Sequence, residues 1–97
     1  MKAQLIELGE QNKETRLTWY CPGCKSDHGV PVPPHPQAWE WNGSLEAPTL
    51  SPSILIGGRR DKPATCHCFV RDGRIEFLGD CTHELAGQTV EMREVDP

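Results

Sequence analysis

Cysteine and histidine are the residues whose types and spacing most directly suggest chemistry, with five of the first and four of the second among 97 residues. Cys21-Pro-Gly-Cys24 places two residues between its thiols, and a tight turn over that spacing directs both sulfurs at one metal ion. A redox-active pair of this spacing needs a following helix to lower its thiol pKa, but the glycine and prolines after His28 do not favour one. The motif therefore predicts half of a structural Zn2+ site, with Cys21 and Cys24 as ligands.

The other half of the metal site is predicted on a β-hairpin near residues 66–78. Strand-favouring residues lie on both sides of Asp72-Gly73, a pair that suits a two-residue type I′ turn. Because side chains alternate along strands, this turn divides the surrounding residues between two faces. One face holds Cys66, Cys68, Val70, Ile75, Phe77 and Cys81, and the other holds His67, Phe69, Glu76, Leu78 and Asp80. We expect Cys66 and His83 to complete the metal site. The fourth position also stays open to Cys81, Cys68 and His28.

The face opposite the thiols carries a second kind of chemistry. His67 and Asp80 are diagonal neighbours in the hairpin, and a carboxylate that orients an imidazole leaves the other ring nitrogen free to act as a base. A cross-strand polar contact on a wet face explains the same pair. Hydroxyl groups at Thr49, Ser51 and Ser53 offer a nucleophile, or else satisfy local backbone amides in a turn. From the residues alone, we favour the structural explanation both for the His67–Asp80 pair and for the three hydroxyl groups.

Short strands and proline-punctuated loops predict the elements that must position these residues. Strands are expected over 3–8, 17–21, 53–56 and 88–92 in addition to the hairpin, with at most an edge strand over 29–32. Trp39 and Trp41 share one face of an extended segment that turns at Asn42-Gly43, and one helical turn is expected over 82–86, capped by Thr82. The fold class is therefore mostly β, a single small zinc-ribbon-like domain over 1–97 with short antiparallel strands, long Pro-rich loops and an ordered core of about 17–92.

Composition limits the classes of partner. Fourteen acidic residues against ten basic ones give a net charge of −4, whereas nucleic-acid binding draws on clustered positive charge. No stretch approaches the ~18 consecutive apolar residues of a membrane span. No secretory signal follows Met1, so we expect a cytoplasmic protein with reduced thiols. A protein or peptide is the expected partner or substrate, with no nucleic acid and no membrane.

Five motifs in a fixed order resemble small zinc-binding phage and prophage proteins of the BubE-like family. They are Cys21-Pro-Gly-Cys24 with His28, Trp39-x-Trp41-Asn42-Gly43, Pro48-Thr49-Leu50-Ser51-Pro52-Ser53, Cys66-His67-x-Phe69-Val70-x-Asp72-Gly73, and Asp80-x-x-His83-x-Leu85-x-Gly87-Gln88-Thr89-Val90. The bacterial relatives are regarded as serine-peptidase-like enzymes of ubiquitin-like conjugation operons.

The resemblance implies a role for several of these residues. Pro52-Ser53-Ile54 would hold the nucleophile, with Ser51 in reserve, and Cys66-His67 would give one metal ligand and the base. From their positions in the hairpin, we expect Asp80 to orient His67, and zinc to hold the site together without taking part in the reaction. The alternative function is a non-catalytic zinc-ribbon adaptor for a host or phage protein, with Trp39 and Trp41 near its contact surface.

Overall fold

A computed structural model describes residues 1–8 and 14–95 as three antiparallel β-sheets, and no helix occurs in these two segments. The strands are β1 (Gln4–Leu8), β2 (Glu14–Cys21), β3 (Ser26–Pro31), β4 (Glu40–Trp41), β5 (Leu50–Ser51), β6 (Ile54–Arg59), β7 (Lys62–Arg71), β8 (Arg74–Phe77) and β9 (Thr89–Glu91). The mostly β fold that the sequence predicts is confirmed. The described residues contain no helix long and apolar enough to cross a membrane.

The first sheet has the order β1-β2-β3, and its second hairpin brings the Cys21-Pro-Gly-Cys24 motif to a tight turn. The Lys25 amide donates to the Cys21 carbonyl at 2.8 Å, and Lys25 takes the left-handed conformation with φ 57°. Trp19 lies opposite His28 and Cys21 lies opposite Ser26. This pairing is more extensive than the edge strand expected over 29–32, because β3 already begins at Ser26.

The third sheet, β6-β7-β8-β9, contains the hairpin predicted from the sequence. Arg71 pairs with Arg74 and Phe69 pairs with Glu76, as the Asp72-Gly73 turn requires. Asp72 and Gly73 have φ values of 51° and 76°, the two positive values that a type I′ turn needs. The thiol-bearing face is buried and the His67 face is partly exposed, so the division of the hairpin into two faces is also confirmed.

A two-stranded sheet of β4 and β5 holds the hydroxyl-rich segment against the hairpin turn. Its own loop is closed by Asn42, whose Oδ1 accepts from the backbone amides of Ser44 and Thr49 at 3.1 Å each. The Thr49 hydroxyl accepts from the Asp72 amide at 2.8 Å. These bonds fix the start of the segment that continues through Ser51 to Ser53.

One hydrophobic core joins the sheets, and the thiol face of the hairpin is part of it. The core residues are Ala3, Leu17, Trp19, Cys21, Val30, Val32, Leu50, Ile54, Cys66, Cys68, Val70, Ile75, Phe77, Cys81 and Met92. Burying large apolar side chains stabilises the fold by roughly 1.5–3 kcal/mol each. Four of the five cysteines therefore occupy core positions, and Cys24 is the exposed one.

The segment after Asp80 is a series of turns and not the helical turn expected over 82–86. The Ala86 amide donates to the His83 carbonyl at 3.3 Å, and the Gln88 amide donates to the Leu85 carbonyl at 3.0 Å. The Thr82 hydroxyl does not cap this segment, because it accepts from the Thr65 amide of β7 at 2.9 Å. This pairing with β7 directs the chain back along the hairpin.

Candidate active site and metal site

Ser53, His67 and Asp80 form a continuous hydrogen-bonded series on the partly exposed face of the third sheet. His67 Nε2 lies 3.3 Å from Ser53 Oγ. His67 Nδ1 lies 3.0 Å from Asp80 Oδ2 and 3.3 Å from Asp80 Oδ1. The three side chains that the sequence and the family resemblance suggested as a catalytic group are therefore in contact, with the imidazole in the middle.

Each member of this series is positioned by a different strand of the sheet. His67 lies on β7, where its carbonyl accepts from the Leu78 amide at 2.9 Å. That bond extends the hairpin beyond β8 and brings Asp80 beside the imidazole. Ser53 immediately precedes β6, and the pairing of Leu55 with His67 places Ser53 diagonally across from the ring.

The site is open to solvent on one side and anchored on the other. The side chains of His67 and Asp80 are 26% and 58% exposed, respectively, so a substrate can reach them. Trp39 Nε1 donates to the Ser53 carbonyl at 3.4 Å, which restrains the backbone that presents the hydroxyl. A second hydroxyl in the segment, on Ser51, makes no described contact with His67, and the Thr49 hydroxyl binds Asp72. Ser53 is thus the hydroxyl that the fold brings to the imidazole.

This arrangement has the requirements of an activated nucleophile. When Nδ1 of a neutral imidazole donates its hydrogen to a carboxylate, the lone pair on Nε2 faces the hydroxyl and can accept its proton. A separation of 3.3 Å is slightly long for an O–H···N bond, and such contacts commonly tighten when a substrate is bound. The geometry therefore suits attack on an acyl carbon.

The metal site lies on the opposite face of β7. The ligand atoms of Cys21, Cys24, His28 and Cys66 all lie within 4.8 Å of one another. Three of these ligands come from the β2–β3 hairpin, and Cys66 is the residue before His67. A metal ion bound there joins the first sheet to the third.

Two observations show that the donor set fits a tetrahedral ion. Cys21 Sγ and Cys66 Sγ are 3.8 Å apart, and two sulfurs bound at ~2.3 Å to tetrahedral zinc are separated by ~3.8 Å. His28 Nε2 is buried and has no hydrogen-bond partner. Because an unsatisfied buried polar atom is costly, a metal ion accounts for its position.

Crowding of the thiols raises their pKa values in the metal-free protein. The neighbouring Cys66 thiol and burial raise the pKa of Cys21 to about 12. Burial and the nearby Cys21 also raise the pKa of Cys24. These thiols therefore keep their protons at neutral pH until a cation displaces them.

His83, which the sequence suggested for the fourth position, lies in a second group of possible ligands with Cys66 and Cys81. His83 Nδ1 accepts from the Leu85 amide at 3.2 Å, and its Nε2, like that of His28, is buried without a hydrogen-bond partner. The ring packs edge-on against Phe77 and lies so close to Gly23 that a Cβ there would overlap it.

His28 lies in the group with Cys21, Cys24 and Cys66 because β2 and β3 form a hairpin. Its strand position opposite Trp19 puts the imidazole on the same face as Cys21. His28 lies on strand β3 (Ser26–Pro31). The prolines at and after Pro31 argued against a strand there, so the sequence did not place His28 beside the thiols. Of the remaining thiols, Cys68 lies in the core, and Cys81 accepts from the His67 amide at 3.3 Å.

Comparison with known proteins yields one family. The family model described as the bacterial ubiquitination-like system serine protease (BubE) matches residues 1–78. No curated protein and no solved structure matches the chain. The matched residues include Ser53, His67 and the whole metal site, whereas Asp80 lies just beyond their end. Because the match spans most of the sequence and contains the serine and histidine that meet in the structure, the chain belongs to the BubE family.

Proposed function

We propose that this protein is a serine peptidase that cleaves an acyl bond at the end of a ubiquitin-like modifier. The observation that carries the proposal is the series of hydrogen bonds from Asp80 through His67 to Ser53. The substrate class is suggested by the family name, which refers to a ubiquitination-like system. The partners are accordingly proteins or peptides, and neither nucleic acids nor membranes.

In the proposed reaction, Ser53 Oγ attacks the carbonyl carbon while its proton passes to His67 Nε2. The imidazolium then donates that proton to the leaving group as the scissile bond breaks, which leaves an ester on Ser53. A water molecule gives its proton to His67, attacks the ester and releases the carboxylic acid, and Ser53 regains its proton. Asp80 holds the ring orientation and stabilises its positive charge in both halves of the reaction.

We assign zinc to the site formed by Cys21, Cys24, His28 and Cys66. A set of three thiolates and one imidazole is typical of structural zinc, in which protein ligands fill all four positions. Bound zinc would supply a cross-link between sheets, and we propose no reaction step on it. By holding Cys66, it would steady the adjacent His67.

Cleavage of a fusion between a ubiquitin-like modifier and a reporter protein tests the proposal. We expect Ser53→Ala and His67→Ala each to abolish cleavage while the metal content and melting temperature stay close to those of the wild type. Ser51→Ala is the matched control, because its hydroxyl lies outside the hydrogen-bonded series, and it should retain activity. Full activity of Ser53→Ala would overturn the proposal.

The adaptor alternative makes the opposite prediction for the same variants. A partner would bind equally well to wild type and to Ser53→Ala, with no cleavage by either. The tryptophans suggested for its contact surface are half-buried, and their indole N–H groups donate to the Ser53 and Ser44 carbonyls at 3.4 and 3.0 Å. Because these bonds hold both indoles against the fold, the tryptophans offer less contact surface to a partner than an adaptor needs, which favours the peptidase.

A further inference from the structure

The outer edge of β6 begins beside the proposed nucleophile and has no strand partner in the described structure. The order of the third sheet places β6 at its end, where it pairs with β7 alone. Ser53 is the residue that immediately precedes this edge strand. Anything that pairs with the edge therefore extends directly to the Ser53 hydroxyl.

Hydrogen bonds on the other side of β7 reveal which groups of β6 point outward. Thr65 and His67 direct their carbonyls away from β6, since they accept from the Thr82 and Leu78 amides at 3.0 and 2.9 Å. Because the direction alternates along a strand, Cys66 and Cys68 must bond to their partners Ile56 and Ile54.

The N–H and C=O groups of Leu55 and the N–H of Gly57 consequently face the open edge, and the regular alternation ends at Gly57, whose φ is 80°. The Ser53 carbonyl follows the same alternation, because it accepts from the Trp39 indole, outside the sheet. Trp39 thus occupies the edge at Ser53, and the available pairing positions run from Leu55 towards Gly57.

Over residues 54–56 this edge lacks the devices that usually protect an unpaired strand. Charged residues, prolines or bulges commonly prevent edges from pairing with other chains. Ile54, Leu55 and Ile56 form an uninterrupted apolar run, and the Leu55 side chain is 59% exposed. The irregularity in pairing comes only beyond Gly57. An apolar, unprotected edge beside a nucleophile is suited to a peptide that pairs transiently.

We propose that the substrate binds as an additional antiparallel strand on the outer edge of β6, through the extended segment that precedes its scissile bond. This inference rests on the proposed function, because it takes Ser53 as the attacking group. Antiparallel pairing lets one substrate residue exchange two hydrogen bonds with Leu55 and another accept one from the Gly57 N–H. The substrate is then a flexible tail that can be drawn out to full extension.

The register of this pairing assigns a position to each substrate residue. With the scissile residue beside Ser53, the third residue back lies opposite Leu55 and the fifth lies opposite Gly57, a reach of ~13 Å. The side chain of the third residue meets Leu55 on the face that carries His67. The fourth side chain points to the other face, where Ile56 and Cys66 line part of a cleft of about 470 Å³ that Cys24 and His28 also line.

Inactivation by alanine-based diphenyl phosphonates tests the pairing directly. One probe carries a single acetylated alanine before the phosphorus, and a second carries five. We expect the long probe to inactivate the full-length, metal-loaded protein at least about tenfold faster, because it gains the edge hydrogen bonds. N-methylation of the third residue should remove that advantage, whereas N-methylation of the fourth, whose N–H faces away from β6, should keep most of it.

Variants of the protein probe the same bonds from the other side. Leu55→Pro removes an outward N–H that β7 does not use, so the ratio of long-probe to short-probe rates should fall towards one. Leu55→Thr keeps that N–H and should retain a ratio well above one. The N-methylated probes decide the matter on the wild type even where Leu55→Pro fails to fold.

The outcomes separate this inference from the proposed function. Equal rates for long and short probes, with both attached to Ser53, would overturn the pairing and leave the peptidase intact. Labelling at a residue other than Ser53 would overturn both. A stable dimer that buries the β6 edge would also overturn the inference, because a second copy would then be its occupant.

Discussion

Both ring nitrogens of His67 make contacts, and the two contacts have different roles in the proposed mechanism. Nδ1 bonds to Asp80 and Nε2 faces Ser53, so the proton is held on the nitrogen away from the hydroxyl. Removing the imidazole removes the base, whereas changing its partner changes where the proton resides. The variants of Asp80 therefore test the orientation of the ring separately from its presence.

Asp80→Asn should lower the rate of fusion cleavage by about 10²-fold, because the amide can donate to Nδ1 and so favour the wrong tautomer. The loss is smaller than in a fully buried triad, since Asp80 is 58% exposed and water competes for the ring. Asp72→Asn is the matched control, as asparagine also tolerates the left-handed conformation of the turn. Steady-state kinetics of the purified variants measure both. Undiminished activity of Asp80→Asn would contradict the proposed role of Asp80.

The two histidines near the thiols should respond differently to substitution. His28→Ala should weaken zinc binding by more than about 100-fold, since even the outer partners of metal ligands contribute 10–100-fold. His83→Ala should keep one equivalent of zinc, because its ring lies outside the four-ligand group. Competition against a chromophoric chelator gives both affinities. Loss of zinc from His83→Ala with retention by His28→Ala would reverse our assignment.

At the scale of elements, strand β7 separates the two sites by simple alternation. Cys66 faces the buried metal group and His67 faces the exposed hydroxyl, although the two residues are adjacent. The β7–β8 hairpin is therefore the element on which both sites depend. Its turn sets the register that brings Asp80 to His67.

The turn at Gly73 should tolerate a side chain poorly. Gly73 has φ 76°, and a Cβ there would lie 3.2 Å from the Cα of Ala47. Gly43 has a similar φ of 84° but nothing within 4 Å of its Cβ position. Strain at positive φ costs on the order of 1–3 kcal/mol, so we expect ~1 kcal/mol of unfolding free energy to be lost in Gly43→Ala and ~2–3 kcal/mol in Gly73→Ala. Denaturant unfolding of the zinc-loaded proteins measures the difference, and equal losses would show that the close approach to Ala47 is unimportant.

The sequence predicted the β7–β8 hairpin because its signals are local. Asp72-Gly73 specifies the turn, and the alternation of thiols with other residues specifies the faces. The β2–β3 hairpin gave a weaker signal, because Lys25 takes the left-handed position where glycine is expected and Pro31 lies in the strand. His28 was consequently left as one option among four.

Two other features, the Ser53–His67 contact and the position of Thr82, depend on pairing between residues far apart in the chain. The contact of Ser53 with His67 depends on the register of β6 against β7, which shifts between Gly57 and Arg59 and so does not follow from the turn at 60–61. Only the family resemblance selected Ser53 over Ser51. Thr82 has the local properties of a helix cap, but the tertiary bond to Thr65 takes its hydroxyl.

At the scale of the molecule, the metal site joins two sheets that the chain connects only through loops. Cys21, Cys24 and His28 belong to the β2–β3 hairpin, and Cys66 belongs to the third sheet. A small domain has limited apolar area to bury, so a bound metal contributes directly to its folding free energy. Loss of the ion should loosen the sheet that carries His67.

Zinc binding should release protons and weaken as the pH falls. The pKa of Cys21 is raised to about 12 in the metal-free protein, so its thiol is protonated at neutral pH and must lose that proton to bind zinc. Cys24 and Cys66 have raised pKa values as well. Titration calorimetry in buffers of different ionisation enthalpy counts the released protons, and we expect between two and three. Affinity that is constant between about pH 6 and 8 would contradict thiol ligation.

Ser53 is the proposed nucleophile and His67 its activating base, and mapping of a covalent adduct tests these two roles most directly. Wild-type protein is treated with a fluorophosphonate, digested and examined by mass spectrometry to locate the phosphonylated residue. We predict modification at Ser53, and its loss in a His67→Ala variant that keeps its zinc and melting temperature. Modification elsewhere, or equal modification of Ser53 without His67, would contradict the proposed mechanism.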